Sequence, residues 1–154
     1  MKGHTDITNT LNDLLADELT AINQYMVHSE MCDNWGYEKL HKAIEKQAID
    51  EMKHAEMLIQ RILFLEGSPT VSRLNAINIG KTVGERMSHD EEAEAHAVRM
   101  YNDGIRLAVE VKDEGTRDLL TKILKDEESH LDWDEQQREQ IGQMGIENYL
   151  AAQV

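Results

Sequence analysis

Two Glu-x-x-His pairs, Glu51/His54 and Glu127/His130, stand in this chain at a constant offset of 76 positions. The same offset relates Glu18 to Glu94, Tyr25 to Tyr101 and Asp50 to Asp126. Most other positions do not match at this shift, so the repeat is concentrated in residues able to do chemistry. On a helix, i and i+3 lie on one face, one above the other. Two such helices, plus one Glu from each of two more, would present four carboxylates and two imidazoles at one level. Hard oxygen donors with a minority of neutral imidazole suit iron or manganese rather than Cu(I) or a thiolate metal. Two divalent cations would also offset four carboxylates that are otherwise costly to bury. The i, i+3 spacing is weak evidence by itself, since chance would place about one such pair in a chain of this composition. A third pair, Glu38/His41, shares neither the offset nor an apolar stripe. It lies about 220° around the helix from Glu51/His54 and reads as surface.

Four long helices are needed to position these groups, and the periodicity supplies them. The first runs from about Ile7 to Asn34, its stripe Leu11, Leu15, Glu18, Ile22 and Tyr25 interrupted by the carboxylate. The second runs from about Tyr37 to Leu65, with Glu51 and His54 inward among Ile44, Gln47 and Leu58. Gly67-Ser68-Pro69 ends it, since Gly suits the position after a helix and Pro cannot continue one. A third, from about Val83 to Lys112, places Met87, Glu94, Tyr101, Ile105 and Ala108 on one stripe. A fourth runs from about Thr116 to Gly142 and carries Leu120, Ile123, Glu127 and His130. The stretch between the second and third helices has no helical period. At about 3.3 Å per residue it can run the length of a helix of about 45 Å. The expected fold is therefore all-α: a four-helix bundle over residues 5–142, one domain, with one long crossover and a short helix near 146–152.

The chain has 154 residues and a net charge of −14, which argues against nucleic acid and anionic membranes as partners. It favours cations. No run of about 20 apolar residues suggests a membrane span, and the N-terminus lacks a signal-peptide core. A single cysteine, Cys32, excludes an intrachain disulfide and a Cys-based metal site, and points to a reducing cytoplasm.

At these residues the chain resembles bacterioferritins. The opening MKG, LTAINQYMVH (19–28), IDEMKHAE (49–56), RILFLEG (61–67), KDEESHLDW (125–133) and ENYL (147–150) carry the likeness over nearly the whole length. The resemblance implies a ferritin-like bundle in a 24-subunit shell built from dimers, oxidising Fe(II) with dioxygen or hydrogen peroxide and storing ferric mineral. It implies two irons per subunit: Glu18 and His54 on one, Glu94 and His130 on the other, Glu51 and Glu127 bridging. Tyr25 would lie beside them, either as a participant or as core packing hydrogen-bonded to Glu94; Tyr101 reads as packing. Met52 would bind a b-type haem, one Met from each of two subunits, with Asn23 flanking. Geometry agrees with that placement, because residue 52 lies about 100° around the helix from Glu51. Leu19, Ile22, Met26, Ile49, Met52 and Ile59 then form a second apolar surface. Electrons for iron release would come from a ferredoxin or reductase.

Many bacterioferritins carry His-Glu where this chain has Lys46-Gln47, facing the shell interior, which leaves Asp50 as the remaining donor for an inner-surface iron. Asp17, Asn34, Glu66, Asp132 and Glu139 are expected to line channels. Competing expectations are a dimanganese catalase-like enzyme and a di-iron oxidase or peroxidase without mineral storage. A rubrerythrin-like protein would need more cysteines. A starvation-type mini-ferritin builds its site between subunits, which the intrachain offset contradicts.

Overall fold

A computed structural model describes Met1–Val154 throughout. Five helices follow in order: α1 (Thr5–Asn34), α2 (Glu38–Phe64), α3 (Val83–Glu110), α4 (Glu114–Met144) and α5 (Ile146–Ala151). No strand forms. Local chemistry sets the boundaries. The Thr82 hydroxyl accepts from Glu85 N, while Glu85 reaches back to Lys81 N. The Asp113 carboxylate accepts from Thr116 N and starts α4. Each satisfies backbone donors that a helix N-terminus leaves without partners.

The end of α2 differs in one respect from the expectation. The left-handed residue after the helix is Glu66, at φ 60°, rather than Gly67. Glu66 N donates to Leu63 O and Gly67 N to Ile62 O, the paired bonds that close a helix C-terminus. Gly67 sits in a tight place: a Cβ there would lie 3.0 Å from Ile62 Cγ2 and 3.1 Å from Thr8 Cγ2, so those side chains would have to give slightly. Lys112 closes α3 in the same way, at φ 60°.

Helices α1 and α2 form one antiparallel hairpin, α3 and α4 the other. Contacts Gln24–Asp90, Tyr25–Glu94 and Tyr101–Glu18 run in opposite senses along α1 and α3. Arg61–Thr116, His54–Asp126 and His130–Asp50 do the same for α2 and α4. Consequently α2 and α3 are parallel and the 65–82 crossover spans the bundle. Gly104 of α3 lets the neighbouring helices close in, its Cβ position lying 3.0 Å from Leu120 Cδ1 and 3.4 Å from Thr10 Cγ2.

Two apolar clusters fill the interior. Leu11, Leu15, Leu58, Ile62, Leu120 and Ile123 anchor one end. Cys32, Leu40, Ile44, Met87 and Tyr149 anchor the other. The carboxylate-rich layer lies between them. Ile22, expected on the core stripe, is only half-buried.

The crossover lacks helix and sheet bonds, so its backbone needs other partners. A row on α1 provides them. Asn12 Oδ1 accepts from Thr70 N, Thr20 Oγ1 from Asn75 N, Gln24 Oε1 from Asn78 N, and His28 Nε2 from Gly80 N. Since His28 Nε2 accepts, its Nδ1 carries the proton and donates to Asp90 Oδ1 at 2.8 Å. Arg86 and Gln24 donate to the same carboxylate. Gly80 stands where no side chain fits, a Cβ falling 2.3 Å from Arg86 N. Gly80→Ala should therefore displace the crossover and destabilise the protein by about 2 kcal/mol or more, read as a lower midpoint in urea denaturation.

Candidate metal centre

Each helix of the bundle contributes one buried carboxylate to the central layer: Glu18, Glu51, Glu94 and Glu127, all at most 2 % exposed. His54 and His130 join them from α2 and α4, the ring centroids 6.3 Å apart. The six donors fall into two overlapping groups. Glu18, Glu51, His54 and Glu127 form one, and Glu51, Glu94, Glu127 and His130 the other, with donor atoms within 4.8 Å of one another in each. Glu51 and Glu127 belong to both. Each group can hold one metal ion, and the shared pair would bridge two.

Both imidazoles present Nδ1 to this layer. His54 Nδ1 lies 2.8 Å from Glu127 Oε1, 3.3 Å from Glu51 and 3.5 Å from Glu18. His130 Nδ1 lies 2.9 Å from Glu51 Oε1 and 3.4 Å from Glu94 Oε1. Their outer nitrogens are held crosswise: His54 Nε2 bonds Asp126 Oδ2 at 2.9 Å, and His130 Nε2 bonds Asp50 Oδ2 at 3.1 Å. A carboxylate behind the ring fixes its orientation and raises its basicity as a ligand. Asp126 was visible in the 76-residue offset, yet its role was not, because it depends on which helices face each other. Asp50 also accepts from Lys46, so it is already engaged on both sides. Gln47 turns into the bundle and is buried, with Oε1 unpartnered, rather than facing outward beside exposed Lys46.

The tyrosines repeat the symmetry. Tyr25 donates to Glu94 Oε1 at 2.6 Å, and Tyr101 to Glu18 Oε1 at 2.5 Å. Tyr101 therefore does more than fill space: it fixes one carboxylate oxygen and leaves the other free. Glu18 Oε2 and Glu94 Oε2 accept no hydrogen bond, and Glu127 Oε1 has only the poorly aligned contact with His54. Buried oxygens without donors are rare and expensive, and here they converge on one point.

Protonation follows from this crowding. Burial, then repulsion from Glu18, Glu127 and Glu94, pushes the Glu51 carboxyl well above its ordinary range. Burial and Glu127 raise Glu94 to about 8. Burial alone would lower the two histidines, but the carboxylates outweigh it: Glu127 and Glu18 raise His54 to about 11, and Glu94 raises His130 to about 9. Without metal, protons supply the missing positive charge.

A cavity of about 640 Å³ between α1, α3 and the crossover reaches the layer, where Glu18, Tyr25, Glu51 and Glu127 form its inner wall. Asp13, Asp17, His89, Glu92 and His96 line it further out. Asp17 and His96 meet at 3.2 Å. Asn34, Glu66, Asp132 and Glu139 are exposed and lie elsewhere on the surface. Outside the layer, Met52 is 46 % exposed on α2, and Ile49, one turn before it, is exposed too; on α1, Met26 is exposed and Asn23 half-buried.

A ferritin-like domain model matches residues 8–144. "Bacterioferritin" of Mycobacterium leprae is 40 % identical over 151 residues, covering 98 % of this chain and 95 % of that protein. The chain belongs to the bacterioferritin family. "Bacterial ferritin" of Synechocystis is 41 % identical, covering 100 % of this chain and 99 % of the relative. The protein of that name from Pseudomonas aeruginosa is 41 % identical with both chains fully covered. The motifs at residues 19–28, 49–56 and 125–133 carry the same resemblance as these full-length matches. No helix is long and apolar enough to cross a membrane.

Metal binding at the layer must displace protons, because the ligating forms are carboxylate and neutral imidazole. His54 and His130 have pKa values of about 11 and about 9, so both are charged at neutral pH in the metal-free protein. Divalent-ion affinity should then rise with pH, with the steepest gain as His130 and Glu94 titrate near 8–9. These folded values lie above the unfolded ones, so the stability they lend is complete at low pH and is lost as pH rises through them. The metal-free melting temperature should accordingly fall between pH 7 and 9, and added divalent ion should reverse the fall. Calorimetric titration in two buffers of different ionisation enthalpy would count the released protons.

Proposed function

We propose that this bacterioferritin-family protein stores and detoxifies iron. Its buried layer acts as a ferroxidase, taking Fe(II) as substrate and passing Fe(III) to a mineral held inside a homo-oligomeric shell. The observation that carries this reading is the pair of overlapping donor groups sharing Glu51 and Glu127. Four carboxylates and two imidazoles match the charge and hardness of two Fe(II) ions, which become harder acids on oxidation. Glu18 and His54 would hold one ion, Glu94 and His130 the other, with Glu51 and Glu127 between them.

Fe(II) reaches the layer through the cavity whose outer wall carries Asp13, Asp17, Glu92 and His96, drawn by the negative potential of a chain of net charge −14. Each Fe(II) gives up one electron. Dioxygen accepts the two electrons with two protons and leaves as hydrogen peroxide, which can itself take two more to give water. Tyr25 and Tyr101 hold Glu94 and Glu18 so that the free oxygen of each points at the incoming ion. Asp126 and Asp50 keep His54 and His130 turned inward through the change of charge. Protons displaced on loading leave from the same histidines and carboxylates.

Subunit assembly is supported by apolar surface that one chain leaves uncovered. Met26, Val27, Ile49 and Met52 lie on the α1–α2 face, and Val71, Leu74, Ile77 and Ile79 on the crossover. A shell of 24 copies built from dimers is the assembly the family implies. The exposed Met52 fits a thioether ligand to haem, one Met52 from each of two subunits, with Asn23 flanking as the family resemblance implies. A bound haem would supply an electron path for iron release, fed by a ferredoxin or reductase. An inner-surface iron at Asp50 would have to displace Lys46 and His130. The single cysteine supports work in a reducing cytoplasm.

Glu127→Ala removes a donor common to both groups. It should slow Fe(II) oxidation beyond the roughly 10–100-fold that loss of an outer-sphere partner costs, followed by stopped-flow absorbance of the ferric product. An unchanged rate would sink the ferroxidase assignment. Met52→Leu should abolish the Soret band of haem-reconstituted protein while leaving that oxidation rate intact.

A further inference from the structure

The 76-residue repeat extends behind the metal-layer donors and then breaks. Lys46 + 76 gives Lys122, and each lysine stands four residues before the aspartate that backs a histidine. Lys46 precedes Asp50, and Lys122 precedes Asp126. Residues i and i+4 share a helix face, so either lysine is placed to reach its aspartate. Only one does. Lys46 Nζ donates to Asp50 Oδ2 at 2.9 Å, the same oxygen that His130 Nε2 meets at 3.1 Å. Asp126 Oδ2 meets His54 Nε2 at 2.9 Å and has no lysine partner, while Lys122 is exposed.

Exposure sharpens the difference. The Asp50 side chain is 20 % exposed and the Asp126 side chain 56 %. Asp50 is thus held from two sides in a mostly buried position, whereas Asp126 is a solvated carboxylate tied at one end. Lys46 is itself exposed, and an ion pair of that kind adds little stability on its own. Its effect here is on aim, because it restricts a carboxylate that sets the direction of the His130 ring. An outer partner that orients a ligand changes metal affinity. A side chain already aimed loses less freedom when the ion arrives.

We propose that Lys46 is a positioning residue, acting through Asp50 on His130, and that it makes the two halves of the metal centre unequal. The Glu94/His130 half is preset and takes the first ion. The Glu18/His54 half stays adjustable and holds the exchangeable one. This rests on the reading of the layer as a two-metal centre. Glu51 and Glu127 belong to both halves and do not distinguish them. The ammonium charge acts in the opposite sense, since a cation behind His130 repels a metal ion on that side. Loss of Lys46 by charge alone would therefore tighten the Glu94/His130 half, and loss of the brace would weaken it.

Co(II) is the probe, titrated without oxygen into the assembled protein after removal of metal and followed by equilibrium dialysis and its visible spectrum. Wild-type protein should bind two Co(II) per subunit in two steps. Glu94→Gln should lose the tighter step and Glu18→Gln the weaker. Lys46→Met should weaken the tighter step about twofold to fivefold and so draw the two steps together, and Lys46→Arg should restore their separation. Lys122→Met removes the same charge from the repeat-related position and should leave the separation at its wild-type value. Both lysines are exposed, so these substitutions leave the core untouched. An unchanged or wider separation in Lys46→Met would overturn the proposal, as would an equal narrowing in Lys122→Met. Two indistinguishable steps in the wild type would overturn this proposal alone, whereas a wild type that binds no Co(II) at the layer would overturn the two-metal reading beneath it.

Discussion

Four carboxylates packed at one level of a helical core are the constraint from which most of this structure follows. Moving a single ionised carboxylate from water into the interior costs several kcal/mol even after relaxation. Four together add mutual repulsion, visible in the raised carboxyls of Glu51 and Glu94. The bundle answers with groups that are useful only there: two imidazoles inside the layer, two phenols capping one oxygen each, and two aspartates behind the imidazoles. Leu58, Ile62, Leu120 and Ile123 on one side, and Ile44 and Met87 on the other, seal the layer from above and below. The apolar clusters provide the rigidity, so the polar layer can be assembled for chemistry instead of stability.

The same logic recurs at smaller scale beside the crossover. Asp90 is fully buried and receives donors from Gln24, His28 and Arg86, a balanced group that locks the His28 tautomer and thereby the backbone at Gly80. Asp134 is buried without a hydrogen-bond partner, and burial, reinforced by Asp90 and Glu94, pushes its carboxyl well above the ordinary range. A neutral carboxyl is the form that this environment favours. Tyr149 of α5 donates to Gln137, closing this end of the bundle.

How much of the molecule is legible in its sequence depends on the range of the interaction. Helices, turns and the crossover followed from periodicity and breakers, because those signals are local. The metal-layer residues were legible for a different reason: Glu18, Glu51, Glu94 and Glu127 violate the apolar stripes they sit on, and the shared offset makes the violations agree. The Asp126–His54 and Asp50–His130 pairs were hidden, since which helix faces which is a tertiary fact. The row Asn12, Thr20, Gln24 and His28 carries no periodic signal in the sequence, because each serves one backbone donor of a segment with no period of its own. Gly67 was legible as a helix stop, although the left-handed position falls on Glu66 and Gly67 instead packs closely against Ile62 and Thr8.

The crosswise bracing of the histidines has a kinetic meaning. His54 and Asp126 are 72 residues apart, His130 and Asp50 are 80, and Tyr101 and Glu18 are 83. Contacts near the turn of a hairpin, such as His41 with Ser29 at 12 residues, are closer in sequence, and local contacts of that kind form early. Neither hairpin contains a finished half of the layer, for every imidazole waits on a carboxylate from the other. The layer therefore takes shape when the two hairpins dock, at the end of the search. A chain stalled before docking would be largely helical yet unable to bind the ion pair, which makes chemical competence itself the report of completed folding.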